Sequence, residues 1–267
     1  MFQIEKLQFK YENGTKALDG VTLSIKRGEW FAVLGANGSG KSTLARHLNG
    51  LLLAASGRVL VDGREVGDYS DIKNLRRMVG LVFQNPDNQI VGNSVEEDVA
   101  FGLENLGVPR DEMRRRITEV LGQVGLAGLE QADPATLSGG QKQRLAIAGA
   151  LAMQPQALIL DEATAMLDPA GAAEVLSLLG DLHRQGLTIV MITHNMSEVV
   201  AADRAAVLSN GQLVFCGTPQ EVFAAGDMLR ACHLELPPAA ALGEMLGIPG
   251  CMDLTELLER LQVEVTE

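Results

Sequence analysis

The apolar positions of this chain follow two patterns, which together predict an α/β fold. Apolar and polar residues alternate over 2–9 and 21–25, as in antiparallel strands with one buried face. Continuous apolar runs indicate strands that are buried on both faces of a parallel sheet. Such runs occupy 30–34, 79–83, 157–160 and 187–192. We therefore expect a mainly parallel sheet with flanking helices and an N-terminal antiparallel β-subdomain.

Helical periodicity replaces the strand pattern between about residues 94 and 152. Four apolar residues recur there at the spacing of one helix face. They are Ile117, Val120, Leu121 and Val124. We expect an inserted α-helical subdomain at this point. Further on, Asn210-Gly211 lies between two short apolar stretches, which predicts a tight β-hairpin.

The last part of the chain, from about residue 227, is predicted to be a small helical extension. Its final helix begins near Asp253 and carries an apolar stripe. The stripe consists of Leu254, Leu257, Leu258 and Leu261. We favour packing of the stripe on its own chain, with a partner surface as the alternative. The chain is thus divided into 1–226, which includes the helical subdomain at about 94–152, and 227–267, a possible dimer contact.

Composition narrows the classes of function. The 267 residues carry a net charge of −12, which argues against a general nucleic-acid binder, since phosphate backbones need a basic surface. The three cysteines are an odd number without metal-ligand spacing, so we expect reduced thiols, as in the cytosol. No signal peptide is recognisable, and no apolar run approaches the roughly 18 residues of a membrane span. We expect a protein that is soluble by itself.

The sequence at 35–42 predicts a phosphate-binding loop. It fits the pattern G-x-x-x-x-G-K-[ST] and lies between an apolar strand and a predicted helix. Glycines and the helix N-terminus let backbone N–H groups converge on an anion, Lys41 can reach the β- and γ-phosphates, and Ser42 offers a hydroxyl to Mg²⁺. The alternative, a glycine-rich turn that binds nothing, is disfavoured by the complete pattern. The residues expected to bind nucleotide are Gly35, Ala36, Asn37, Gly38, Ser39, Gly40, Lys41 and Ser42.

Two later apolar runs end in polar side chains with catalytic chemistry. Asp161 and Glu162 follow the run at 157–160, at the strand end where α/β sheets place ligands. Asp161 can hold Mg²⁺ through its water shell, and Glu162 can polarise an attacking water. His194 follows the next run and reaches the same sheet edge, where a γ-phosphate would lie. The alternatives are solvated acids at a strand end and a structural histidine.

Two other stretches have two interpretations each. Residues 137–141, Leu-Ser-Gly-Gly-Gln, contain an S-x-x-Q capping box and paired glycines that leave backbone N–H groups free at a helix N-terminus. This stretch is either a helix start alone or a second anion site. Tyr11, in a polar loop, either covers the core, which we favour from its position alone, or stacks on an adenine.

These elements occur in the order found in ATP-binding-cassette (ABC) ATPases, and the chain resembles that family over about residues 1–225. The order is Tyr11, the phosphate-binding loop, Gln84, residues 137–141, Asp161-Glu162, Asp168 and His194. The resemblance implies a P-loop NTPase core that hydrolyses ATP and two subunits that meet head to tail. Each ATP would lie between the phosphate-binding loop of one chain and four residues of the other chain. Those four residues are Ser138, Gly139, Gly140 and Gln141.

The resemblance also implies a role for each matching residue. The residues implied in catalysis are Lys41, Gln84, Glu162 as general base and His194 as γ-phosphate sensor. Those implied in Mg²⁺ coordination are Ser42, Gln84 and, through water, Asp161. The remaining implied contacts are Tyr11 on adenine, Thr43 on the α-phosphate and Asp168 across the dimer.

A narrower resemblance, to the ATPase subunits of energy-coupling factor transporters, rests on residues 84–89 and 99–105 and on the C-terminal extension. These stretches read Gln-Asn-Pro-Asp-Asn-Gln and Val-Ala-Phe-Gly-Leu-Glu-Asn. Members of that group take up vitamins, cobalt or nickel through separate membrane subunits, one of which selects the substrate. The resemblance implies that a transmembrane subunit contacts this chain near Gln84. The stretch Leu236-Pro237-Pro238 departs from the Pro-Phe expected in this group.

The resemblance therefore implies an ATP-hydrolysing motor subunit of an importer, at the cytoplasmic face of a prokaryotic cell membrane. Its implied partners are a second ATPase, as a homodimer or as a heterodimer with a sister chain, a transmembrane coupling subunit and a membrane substrate-binding subunit. The alternatives are the ATPase of another ABC importer class, a soluble ABC ATPase that acts on ribosomes or DNA, and a catalytically dead cassette. The sequence at 84–89 argues against another importer class, and the presence of a single phosphate-binding loop argues against the soluble ATPase. The catalytically dead cassette is disfavoured because Lys41, Glu162 and His194 are intact.

Overall fold

The computed structural model of the chain describes residues 1–68 and 72–266. Residues 69–71, in the predicted unit 1–226, and residue 267, in the predicted extension 227–267, lie outside the described residues. The strands, in chain order, are β1 (Phe2–Lys10), β2 (Lys16–Ile25), β3 (Trp30–Leu34), β4 (Ser56–Val61), β5 (Arg64–Glu65), β6 (Val79–Val82), β7 (Ala157–Asp161), β8 (Thr188–Thr193), β9 (Arg204–Ser209) and β10 (Gln212–Gly217). The helices are α1 (Lys41–Leu48), α2 (Ile72–Met78), α3 (Val95–Asn105), α4 (Arg110–Gln123), α5 (Gly139–Ala152), α6 (Pro169–Arg184), α7 (Pro219–Ala224), α8 (Gly226–Ala231), α9 (Pro238–Met245) and α10 (Leu254–Thr266).

The strands form two sheets. The smaller sheet has the order β2-β1-β4-β5 and is antiparallel throughout. The larger sheet has the order β10-β9-β3-β8-β7-β6, and its strands are parallel except for β10, which pairs with β9 in the predicted hairpin. Asn210 and Gly211 at the hairpin turn both have positive φ, 49° and 77°, as a type I′ turn requires. The predicted α/β fold is confirmed.

The larger sheet is buried on both faces, because its side chains alternate between two apolar clusters. Trp30, Ala32 and Leu34 of β3 belong to the cluster that includes residues of α3, α4, α5 and α6. Phe31 and Val33 of the same strand pack with the antiparallel sheet and α1. Burial on both faces explains why the parallel strands read as continuous apolar runs.

The predicted helical region consists of α3, α4 and α5. Ser94 caps α3 through the N–H of Glu97, and Ser138 caps α5 with the predicted capping box. The apolar face predicted for α4 is buried. Its members are Ile117, Val120 and Leu121, with Val124 just after the helix end. These helices sit on one face of the parallel sheet; their status as a separate subdomain stays a prediction.

The C-terminal part packs in two ways. Leu229, Leu234 and Ala240 belong to the main apolar cluster, whereas Leu257 joins a small separate cluster on which Leu261 packs. The other two leucines of the predicted stripe, Leu254 and Leu258, are 58% and 59% exposed. Packing on the same chain therefore accounts for half of the stripe, since α10 lies against the fold on one side only.

Within the described residues, no helix is both long enough and apolar enough to cross a bilayer. Cys216, Cys232 and Cys251 are free thiols. The division of the chain at residues 226 and 227 stays a prediction.

Gly57 and Gly63 offer a matched test of the antiparallel sheet. Both have positive φ, 76° and 77°. A Cβ on Gly57 would lie 2.3 Å from the carbonyl oxygen of Lys6, whereas a Cβ on Gly63 would meet no atom within 4 Å. We expect Gly63→Ala to lower the free energy of unfolding by about 1–2 kcal/mol, the strain of the left-handed backbone. Gly57→Ala should lose a further ~1–3 kcal/mol, because β4 must move away from β1.

Urea unfolding of the two variants and the wild type measures the difference. Equal losses in the two variants would contradict the close approach of β1 and β4 at Gly57.

Candidate active site

The carboxyl ends of three adjacent parallel strands define the site. β3 pairs with β8 so that Leu34 lies beside Thr193, and β7 pairs with β8 so that Asp161 lies beside Ile192. The loops that follow these strands therefore start at one edge of the sheet, where α/β folds bind ligands. They bring together the phosphate-binding loop, Asp161-Glu162 and His194, as the sequence predicts.

The phosphate-binding loop depends on two glycines. A Cβ on Gly35 would lie 2.4 Å from the carbonyl oxygen of Leu208, and a Cβ on Gly40 would lie 2.4 Å from that of Ala17. Gly40 is also the N-cap of α1, has φ 104° and offers no side chain to the first turn. The N–H groups at the start of α1 therefore point to an open loop, which is the arrangement of an anion site.

Lys41 is the buried cation of the site. Its side chain is 4% exposed, and its Nζ donates to the carbonyl oxygens of Gly35 at 2.7 Å and Ala36 at 3.1 Å. Nζ also lies 3.6 Å from Oε1 of Glu162. Burial lowers the pKa of Lys41, and the negative charge of Glu162 opposes that shift. A triphosphate at the loop would bring this buried ammonium the negative charge that favours its protonated form.

Ser42 and Asp161 form a pair of oxygen donors beside Lys41. Ser42 Oγ donates to Oδ1 of Asp161 at 2.8 Å. Burial raises the pKa of Asp161, and the hydrogen bond from Ser42 opposes the shift. A nearby cation would stabilise the charged form of this buried carboxylate. Together with the hydroxyl of Ser42, the carboxylate offers the hard oxygen ligands that Mg²⁺ prefers.

Glu162 is the point where the loops converge. Its Oε2 accepts from Gln84 Nε2 at 3.1 Å and lies 3.6 Å from Nδ1 of His194, while Oε1 faces Lys41. Its backbone N–H donates to Ile192 O at 3.0 Å. Glu162 has φ 51°, a left-handed conformation that is unfavourable for a non-glycine residue and often marks a functional site. The structure thus places the other three residues expected in catalysis, Lys41, Gln84 and His194, around the carboxylate of Glu162.

Tyr11 borders the same cavity. Its hydroxyl lies 3.0 Å from Thr43 Oγ1, and its ring contacts that of Phe9 edge to face, with centroids 5.0 Å apart. The cavity has a volume of about 410 Å³. Its lining residues are Tyr11, Thr15, Ala17, Asn37, Gly38, Gly40, Lys41, Ser42, Thr43, Gln84 and Glu162. Tyr11 therefore combines a core contact with a place in the cavity wall, and its stacking on adenine stays a prediction.

Residues 138–141 and Asp168 lie apart from this cavity. Ser138 Oγ accepts from the N–H of Gln141, and Gln141 Oε1 accepts from the N–H of Ser138. Asp168 caps α6 by accepting from the N–H of Gly171. The starts of α5 and α6 adjoin, since a Cβ on Gly140 would lie 3.5 Å from Gly171 Cα. None of these residues lines the cavity around Lys41.

The structure adds residues that the sequence analysis did not single out. Glu198, in a short turn after His194, is buried and accepts a hydrogen bond from Thr164. Asp87 and Lys142 form an ion pair at 2.7 Å between the segment after Gln84 and the start of α5. Neither contact could be predicted from the sequence, because the partners are separated by 34 and 55 residues and no spacing rule relates residues so far apart.

Comparisons with known proteins agree on one family. A family model described as ABC transporter matches residues 18–165. The chain is 56% identical over 252 residues to the energy-coupling factor transporter ATP-binding protein EcfA1 of Symbiobacterium thermophilum, which covers 92% of this chain and 88% of that protein. It is 46% identical over 270 residues to the EcfA1 protein of Streptococcus thermophilus, covering 98% of both.

Solved structures show the same likeness. The structure of cbiO1 from Clostridium perfringens, described as part of the ABC transporter complex cbiONQ, is 43% identical with a TM-score of 0.79, over 92% of this chain and 98% of that one. The cassette MJ0796, solved as a dimer bound to ADP and Pi, is 31% identical with a TM-score of 0.75, over 82% of this chain and 99% of its own.

His47, on α1 behind the loop, gives a prediction on pH. Its Nδ1 donates to Thr43 O at 2.7 Å, and its ring contacts that of Phe9 with centroids 4.8 Å apart. Burial lowers the pKa of His47 from its ordinary value of 6.5, so the unfolded chain binds a proton there more readily than the folded chain. The free energy of unfolding should therefore fall as the pH drops below about 6.5, the pKa of the unfolded chain, and His47 contributes at most about 1.4 kcal/mol per pH unit to this fall.

We expect His47→Leu, which keeps the buried apolar contact with Phe9, to reduce that slope between pH 7.5 and 5.5. Urea unfolding at several pH values measures it, and the other titrating groups are common to both proteins. The same slope in the variant and the wild type would show that His47 is not the group responsible.

Proposed function

We infer that this chain, which belongs to the ABC transporter family, is the ATP-hydrolysing motor subunit of an importer of the energy-coupling factor type. The observation that carries the inference is the convergence of Lys41, Gln84 and His194 on Glu162. A carboxylate beside a phosphate-binding lysine and a histidine is suited to water activation next to a γ-phosphate. The high identity to energy-coupling factor ATPases over nearly the whole chain supports the transporter class.

Each residue at the sheet edge has a task in the proposed hydrolysis of ATP to ADP and phosphate. Lys41 and the N–H groups at the start of α1 bind and orient the phosphates. Glu162 accepts a proton from the attacking water, and His194 contacts the γ-phosphate. Mg²⁺ held by Ser42 and Gln84, with Asp161 through water, would neutralise charge on the phosphate oxygens. Most of the acceleration then comes from alignment and charge neutralisation.

The separation of residues 138–141 from Lys41 supports a site shared between two chains. In α5 the capping box satisfies the N–H groups of Ser138 and Gln141, whereas the N–H groups of Gly139 and Gly140, in the first turn, have no carbonyl partner within the helix. We propose that these N–H groups bind the γ-phosphate held by another subunit, with Asp168 at the same contact. The second subunit is an identical copy or a sister ATPase, and we propose the exposed Leu254 and Leu258 as a separate contact with it.

An apolar groove beside α3, here called the α3 groove, supports a membrane partner. Its volume is about 280 Å³. Its apolar lining includes Leu51, Leu81, Phe83, Val91, Phe101 and Met153. Val91 and Phe101 are 61% and 53% exposed, although both are large and apolar, which is typical of a binding surface. We propose that a helix of a transmembrane coupling subunit docks here, so that the chain works at the cytoplasmic face of the membrane.

The assignment of the general base predicts the effect of Glu162→Gln. The amide keeps the size of the side chain and one acceptor oxygen for Gln84 Nε2, but it accepts a proton from water far less readily. We expect steady-state turnover to fall by at least about 100-fold, while the affinity for ATP changes by less than about three-fold. The control is Glu119→Gln on α4, an exposed carboxylate paired with Arg115. Retained turnover in Glu162→Gln would exclude Glu162 as the base.

The α3 groove predicts a second result. Phe101→Asp should abolish co-purification of the chain with a membrane subunit, because a charge enters an apolar contact. ATP binding by the isolated variant should stay within about two-fold of the wild type, since Phe101 lies outside the nucleotide cavity. The matched control is Val214→Asp on β10, which is 46% exposed and lies outside the groove. Equal recovery of the membrane subunit with both variants would refute docking at this groove.

A further inference from the structure

Glu198 is a buried carboxylate that the proposed mechanism does not use. It lies in the short turn Met196–Ala201 that follows β8, and it is 5% exposed. Its Oε1 accepts from Thr164 Oγ1 at 2.6 Å and from Asn195 Nδ2 at 3.3 Å. Its Oε2 is buried and has no hydrogen-bond partner among the described residues. A buried carboxylate with one oxygen unpaired is unfavourable by itself, so the contacts made by Oε1 are the feature of Glu198 that calls for an explanation.

The partners of Glu198 lie next to the residues of the site. Thr164 comes two residues after Glu162, and Asn195 comes directly after His194. The sheet joins the two loops at its edge through the bond from Glu162 N–H to Ile192 O. Beyond that edge, Oε1 of Glu198 joins them again. One oxygen atom thus links the loop that carries Glu162 to the loop that carries His194.

The link matters because the two side chains of the site do not hold each other. Nδ1 of His194 is 3.6 Å from Oε2 of Glu162, which is longer than a hydrogen bond, and half of the His194 side chain is exposed. Their separation is therefore set by the two loops. A displacement of about 1 Å at such a site can reduce the rate by about 100-fold.

Among the described residues, the other side-chain hydrogen bonds of the histidine loop act within that loop, while its apolar residues pack on the main cluster. Asn195 N–H donates to Thr193 Oγ1 at 2.9 Å, and Asn195 Oδ1 accepts from the N–H and hydroxyl of Ser197. Met196 and Val199 are buried in the main apolar cluster. The hydrogen bonds fix the shape of the turn and the apolar packing holds it on the fold, whereas the bond between Glu198 and Thr164 joins it directly to the loop after β7.

We propose that Glu198 is a positioning residue for ATP hydrolysis, which sets the distance between Glu162 and His194 by joining Thr164 to Asn195. The proposal rests on the proposed function, because it takes the roles of Glu162 and His194 as given there. It requires an acceptor oxygen at Oε1 and does not require the negative charge.

Steady-state ATP hydrolysis by the full chain, with any subunit that turnover requires, tests the proposal in four variants. Glu198→Ala removes the acceptor, and we expect kcat to fall about ten-fold with the KM for ATP within about two-fold. Glu198→Gln keeps an acceptor at Oε1, and kcat should stay within about three-fold of the wild type. Thr164→Val removes the donor hydroxyl and should lower kcat about five-fold. The double variant of Glu198→Ala and Thr164→Val should be no slower than Glu198→Ala, because both remove one link.

Thr188→Val is the control for loss of a buried hydroxyl. Thr188 lies at the opposite end of β8, where its Oγ1 accepts from the N–H of Gly28. We expect a lower Tm with kcat within about two-fold, which separates loss of stability from loss of positioning. If Glu198→Ala does not fold, the comparison of Thr164→Val with Thr188→Val decides the matter.

The outcomes distinguish the two proposals. If the wild type does not hydrolyse ATP, or His194→Ala retains full turnover, the proposed function fails. If His194→Ala loses turnover while Glu198→Ala or Thr164→Val stays within two-fold of the wild type, the role of Glu198 is overturned. An equal loss in Glu198→Gln and Glu198→Ala, or a rise in KM that accounts for the loss, would also overturn it.

Discussion

The pairing of β3 with β8 and of β8 with β7 sets the geometry on which the site depends. Adjacent strands lie about 4.8 Å apart, so the loops after Leu34, Asp161 and Thr193 begin within two strand spacings. A slip of one residue would turn the side chains of a strand to its other face and exchange the two apolar clusters on either side of the sheet. Burial on both faces therefore fixes the register, and the register fixes where Lys41 and Glu162 meet.

This geometry concentrates charge in a place that folding alone does not favour. Burial lowers the pKa of Lys41 and raises the pKa of Asp161, which in each case favours the neutral form. In addition, Glu162 has a left-handed backbone conformation. Nucleotide phosphates beside Lys41 and a cation beside Asp161 would relieve both effects. The site is thus prepared for its ligand at some loss of stability, which the two large apolar clusters offset.

Local patterns predicted most of the scaffold, and long-range contacts explain the rest. The buried strands, the hairpin at Asn210-Gly211 and the capping box at Ser138 follow from short-range rules and are present in the structure. Glu162 and His194 could be predicted because each follows a buried apolar run, and the carboxyl ends of parallel strands meet at one edge of the sheet. The contact of Thr164 with Glu198 was not, because no spacing rule relates them. For the leucine stripe of α10, the predicted packing on the same chain holds for only half of the residues. Periodicity shows which residues share a helix face, but not how much of that face is covered.

One helix connects the proposed phosphate contact with the proposed membrane contact. The start of α5 carries Gly139 and Gly140, and its last turns, with Ala146, Ala150 and the adjoining Met153, line the α3 groove. The helix has 14 residues, a length of about 21 Å, and it packs on α3, which carries Phe101. Because α5 is one continuous helix packed on α3, a displacement of its start is transmitted along the helix to the residues that line the groove. If the proposed contacts are right, a nucleotide that draws the start of α5 towards another subunit also moves the groove, so the proposed hydrolysis at Glu162 and the movement of the proposed membrane partner are coupled through packing.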